Sequence, residues 1–130
     1  MQRLILLRIA LLPLACALTA IPLRGPTYAQ SAQTQYVVVY GEVAPTRRAE
    51  HQAQSLLNDL AELAQQANGS ILFSVNTEVE RPNFFSLVEI WQDATTYAAF
   101  TSASAVKQVV QQLQPLLIAP LDERDGNLVE

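Results

Sequence analysis

The sequence predicts an α+β domain behind a hydrophobic leader, and three observations carry that prediction. Several short segments are rich in β-branched and aromatic residues, and they alternate or stay apolar throughout, as strands do. Two longer segments repeat apolar residues at three- and four-residue steps, as amphipathic helices do. These segments interleave in the order β-α-β-β-α-β. The 130 residues are enough for one domain, and a composition half apolar and 15% charged suits a packed core rather than a disordered chain.

Residues 4–23 form an almost unbroken apolar run, preceded by Arg3 and interrupted by Arg8. Gly25-Pro26 breaks any helix there, and Thr27-Tyr28-Ala29 supplies a small-residue cleavage site of the A-x-A kind. Residues 1–29 therefore read as a secretory signal peptide cut after Ala29, which predicts a periplasmic or secreted protein. Three alternatives stay open: retention as an N-terminal membrane anchor, cleavage after Ala17, and lipidation at Cys16. Cys16 is the single cysteine, so the mature domain has no disulfide, thiolate nucleophile or cysteine metal ligand. Three of the eight basic residues lie in the leader, which leaves five against all twelve acidic ones and a net charge of −7. Such a domain repels phosphate backbones and anionic lipid, so nucleic acid is excluded as a partner and a membrane enters only if the leader is retained.

Residues 30–35 are polar and read as a flexible N-terminal segment, with the domain proper at 36–130. Residues 36–43, Tyr-Val-Val-Val-Tyr-Gly-Glu-Val, predict the first strand. Pro45-Thr46 opens a helix over 47–67, with Thr46 a candidate N-cap and Ala49, Ala53, Leu56, Leu57, Leu60, Leu63, Ala64 and Ala67 along one stripe. Asn68-Gly69 ends it. Residues 70–79 predict a second strand, with Ile71, Phe73, Val75 and Thr77 on one side. Arg81-Pro82-Asn83 turns the chain into a third, over 84–91, which makes a hairpin. Asp93 is a candidate N-cap for a short helix through Phe100. Another starts at Ser102 or Ser104 and is kinked or ended by Pro115. Asp125-Gly126-Asn127 reads as a turn and Leu128-Val129 as a brief last strand.

That order suggests a ferredoxin-like layout, a four-stranded antiparallel sheet with helices on one face. The strands add a clue, because strand three carries Phe84, Val88 and Ile90 on one face and Phe85, Leu87 and Trp91 on the other. Strand one is apolar on both sides too. One domain's helices cover one face only, and the other would expose large side chains worth about 1.5–3 kcal/mol each when buried. Self-association through the sheet face is the simplest remedy, and a homodimer is expected.

The run 36–40, the helix after it, Glu89-Ile90-Trp91-Gln92-Asp93 with residues 97–100 behind it, and the tail 119–124 resemble the antibiotic biosynthesis monooxygenase family. The resemblance covers residues 35–130. It implies a dimeric α+β barrel in which two sheets pack face to face. It also implies that the activity, where there is one, lies among that family's: oxygenation of quinols or polycyclic phenols without metal or flavin, or breakdown of haem. Haem would want a histidine ligand near Val109-Val110; none is there, so haem is disfavoured.

Cofactor-free oxygenation asks for a substrate that loses a proton and then passes an electron to oxygen. The protein supplies a dry pocket, orientation and an acid-base group. By the resemblance, Trp91 is a pocket wall and Tyr97 a hydrogen-bond or proton donor; the competing reading makes both ordinary core aromatics. The family's pocket asparagine falls at Leu87 and its pocket arginine at Gln111, so polyketide chemistry itself is not implied. Glu89 is a carboxylate within an apolar strand. If buried, it becomes a base near neutral pH; otherwise it pairs with an arginine such as Arg124 or with backbone. Tyr97, Trp91 and Glu89 are thus the candidate catalytic residues, with Tyr40, Asn76, Phe85 and Phe100 as candidate pocket residues. His51, the sole histidine, falls on the solvent face of the first helix. No cofactor-binding or metal-ligating pattern is present. The expected function is cofactor-independent oxidation of a small quinol or phenolic aromatic by an exported protein. The alternative is a non-catalytic dimeric domain that binds a small apolar molecule or serves a structural role.

Overall fold

The computed structural model describes residues 33–126, so the leader and Leu128-Val129 lie outside the described residues. The chain runs β1 (Gln35–Glu42), α1 (Arg47–Gln66), β2 (Ser70–Thr77), β3 (Phe84–Trp91), α2 (Ala94–Ser102), α3 (Ser104–Leu113), a 3-10 turn (Gln114–Leu116) and β4 (Asp122–Gly126). The strands form one antiparallel sheet in the order β2-β3-β1-β4. This is the ferredoxin-like layout the element order predicts.

β1 sits beside the sheet's centre and buries Val37, Val39 and Gly41 on the helix side. Its partner β3 buries Phe85, Leu87, Glu89 and Trp91 on that same side. Thr46 caps α1 by accepting from the Ala49 amide at 3.2 Å. Ala49, Ala53, Leu57, Leu60 and Ala64 then face the sheet, while His51 is exposed. Gly69, at a φ of +80°, takes the left-handed turn after the helix, and its carbonyl accepts from Gln92 at 2.7 Å. Asp93 caps α2 through a reciprocal box with Thr96, whose amide donates to Asp93 Oδ1 at 2.7 Å. These two anchors fix α2 against the end of β3. At Gly41, a side chain is impossible without rearrangement, since a Cβ would fall 2.2 Å from Phe85 Cζ. The Phe85 ring lies over the bare backbone there.

Three sequence expectations need correction. The second strand stops at Thr77 rather than running to Val79, which is 98% exposed in the turn. Ile71 does not join Phe73 and Val75 on the inner face. A bulge between Ser70 and Leu72 inserts Ile71 as an unpaired residue and leaves it 62% exposed. The last strand among the described residues is Asp-Glu-Arg-Asp-Gly at 122–126, so Asp125 and Gly126, expected to open a turn, pair with β1 instead. It is an edge strand held by its ladder to β1, from Tyr40↔Asp122 to Tyr36↔Gly126. Its mostly exposed charged side chains carry no apolar pattern, and charge on an edge discourages pairing with other chains.

Among the described residues no helix lies on the far face of the sheet. Along it run Tyr36, Val38 and Tyr40 of β1 with Ile90, Val88 and Ser86 opposite them on β3, and Leu72 beyond. Tyr40 and Leu72 are 46% and 43% exposed.

Candidate functional site

Glu89 is where the apolar pattern of β3 breaks. Its register partners are Val37 on β1 and Phe73 on β2, so the carboxylate stands in the middle of the helix-covered face between two apolar neighbours. It is 4% exposed. Trp91, two residues on and therefore on the same face, is fully buried, and its indole Nε1 donates to Glu89 Oε2 at 2.9 Å. No hydrogen bond to the other carboxylate oxygen, Oε1, is made among the described residues, and Glu89 lines a cavity on that face. Burial pushes the Glu89 carboxyl up to about 7, with Glu123 adding to the rise and the indole hydrogen bond opposing it.

That cavity lies between the sheet and helices α2 and α3 and measures about 300 Å³. This is the small end of ligand sites, which run roughly 300–1,000 Å³. Its walls are mostly apolar, among them Phe85, Leu87, Phe100, Val106 and Leu121. The polar groups at its boundary are Glu89, Tyr97, Thr101, Lys107, Gln111 and Glu123. Tyr97 and Phe100 are three apart on α2 and so share a face. The Phe100 ring stacks near Trp91 at 4.7 Å between centroids, and Tyr97 lies 6.0 Å from it. The Tyr97 hydroxyl donates to Glu123 Oε1 at 2.6 Å. Burial, that bond and the surrounding carboxylates push the phenol well above the ordinary tyrosine range.

The predicted site residues divide. Glu89, Tyr97, Phe85 and Phe100 come together around one cavity. Trp91 does not line it; the indole stands behind Glu89 and orients the carboxylate. Tyr40 and Asn76 lie elsewhere. With Ser86 they form one cross-strand row on the uncovered face, beside a groove of about 350 Å³. The reason is the two-residue period of a strand: Ser86 and Phe85 are adjacent and so point to opposite faces. The Arg124 pairing with Glu89 is also corrected. Arg124 is opposite Val38, on the uncovered face, and binds Asp122 with an Nε to Oδ2 distance of 3.0 Å. Glu123 and Lys107 were not legible as site residues. Glu123 belongs to a strand without apolar signal, and Lys107 sits on an exposed part of α3 where lysine is ordinary. Among the described residues no three His, Cys, Asp or Glu side chains gather to hold a metal ion.

A family model described as antibiotic biosynthesis monooxygenase matches residues 34–112. Among solved structures, a conserved protein from Methanosarcina mazei Go1 superposes with a TM-score of 0.68 at 22% identity, covering 77% of this chain and 97% of that one. Rv0793 from Mycobacterium tuberculosis gives 0.68 at 12% identity over 75% and 96%. SnoaB, a cofactor-independent oxygenase from Streptomyces nogalater, gives 0.67 at 12% identity over 76% and 96%. At these identities the likeness is one of fold. No curated protein matches the chain.

Proposed function

The chain belongs to the antibiotic biosynthesis monooxygenase family, and from that premise we propose that it is an exported, cofactor-independent monooxygenase of a small quinol or phenolic aromatic. One observation carries the reading: a buried carboxylate with a near-neutral pKa lines a small apolar cavity. A base poised near the working pH takes a phenolic proton at least cost. The resulting anion is electron-rich and passes an electron to dioxygen, which enters apolar cavities readily. One oxygen atom ends on a ring carbon whose C–H becomes C=O, and the other leaves as water, with the quinol supplying the electrons. Phe85 and Phe100 hold the ring and exclude water, and the Trp91 indole keeps the Glu89 carboxylate aimed.

The test is oxygen uptake with a panel of hydroquinones and naphthols. Rates should rise with pH through a midpoint near the Glu89 value of about 7. Glu89→Gln should lower kcat by roughly 10²- to 10⁴-fold, the usual worth of a general base. Trp91→Phe removes the hydrogen bond that favours the charged form, so its pH midpoint should move up rather than its activity vanish. No uptake with any member of the panel sinks the proposal.

A second reading, binding without turnover, is favoured by one observation: Leu87 and Gln111 line this cavity where the family resemblance puts an asparagine and an arginine. It predicts saturable binding of the same aromatics with no oxygen consumed. Under either reading we propose that two copies pair through the uncovered sheet face, which would bury Tyr36, Val38, Val88 and Ile90. Export is proposed from the leader; the N-terminal residue of protein recovered from an expressing cell tests it, Gln30 being expected.

A further inference from the structure

The charges around the cavity say more than the reaction class does. The polar group at depth is the Glu89 carboxyl; the residue is 4% exposed and its Oε1 has no partner among the described residues. It is an acceptor in search of a donor. Toward the solvent side, Glu123 carries a second carboxylate, and the Tyr97 proton is already committed to it. Asp125 follows on the same side of β4, opposite Val37; burial first, then Glu123, Glu89 and Asp125, hold the Tyr97 phenol in its neutral form. Against these stands Lys107 on α3; it is exposed, as Glu123 and Asp125 are, so water and salt screen all three charges. Glu89 has no such screening.

Resting on the reading of this cavity as the substrate site, we infer that it admits uncharged hydroxyaromatics and turns away carboxylated ones, with Glu89 at depth and Glu123 at the opening as the specificity-determining pair. A phenolic hydroxyl satisfies Glu89 Oε1 directly. An aromatic carboxylate of the same size either confronts Glu89 in a medium of low dielectric or lies against Glu123 at the opening, and both contacts are repulsive. The family match says nothing about this selection; it follows from the acids that β3 and β4 place on one face.

Calorimetric titration at pH 8 tests it, with hydroquinone, methyl 4-hydroxybenzoate and 4-hydroxybenzoate as probes; the last two differ mainly in charge. The acid should bind at least about tenfold more weakly than its ester, in line with one unscreened like-charge contact. Glu123→Gln keeps an acceptor for Tyr97 and should shrink that gap by about threefold or more; Glu123→Lys should close or reverse it. A smaller gap in the wild type, a gap unmoved by both substitutions, or no binding of any probe overturns the inference. Oxygen uptake separates it from the monooxygenase reading. An inert protein that still sorts the probes by charge retains the selectivity and loses the activity. An active one that binds acid and ester alike does the reverse.

Discussion

Glu89 concentrates most of what is unusual at the level of single residues. Its carboxyl sits about 7 in the folded protein against an ordinary value of 4.5, because burial disfavours the charged form. Between those two pH values the unfolded chain has lost this proton and the folded one keeps it. Glu89 therefore contributes stability in full below about pH 4.5, and that contribution fades as pH rises through 7. The shift corresponds to roughly 3 kcal/mol, an order of magnitude only. Thermal unfolding measured from pH 4.5 to 8 should show this decline in the wild type, and Glu89→Gln should flatten it. Gly41 is the second constrained residue. With Phe85 Cζ 2.2 Å from where a Cβ would stand, Gly41→Val should cost about 1–3 kcal/mol by overpacking and distort the cavity wall. Denaturant midpoints measure the first effect and ligand affinity the second.

At the level of elements, α2 is the one that brings the site together. It is only nine residues long, too short to hold its shape alone, and its position depends on the Asp93–Thr96 box and on Phe100 packed beneath it. Asp93→Ala should cost about 1 kcal/mol by loss of the cap, seen as a lower melting temperature, and should loosen Tyr97 from Glu123. The elements also mark the limit of what one dimension reveals. α1, β3 and the α2 cap could be read in sequence because each carries a local signature: a stripe, an apolar run, a capping residue. β4 could not, because an exposed edge strand has nothing to bury, and only its ladder to β1 defines it. The bulge at Ile71 escaped for a related reason, since strand alternation is read by counting and one extra residue upsets the count.

For the whole molecule, the helices and the uncovered face divide the labour. The core and the cavity lie on the helix side, and the other side presents Val38, Val88 and Ile90 with no helix among the described residues to cover them. Val88→Asp should leave the fold intact, since Val88 faces away from the core, and should weaken the proposed pairing of copies. Light scattering reads the outcome as a fall from about twice the chain mass toward one, as expected when a charge enters an apolar interface.

The sequence by itself determined the order of the elements from β1 to α3, the face α1 turns inward, and the presence of one carboxylate in an apolar strand. These are local or periodic features, written into neighbouring residues. Only the tertiary structure decided which residues share the cavity: it joined Glu89 and Tyr97 to Glu123, placed Trp91 behind the carboxylate, and sent Tyr40 and Asn76 to the other side. The physical reason is that a site is made by strand register and by the packing of helices onto the sheet. Both depend on pairings between residues far apart in the chain, which no local pattern records.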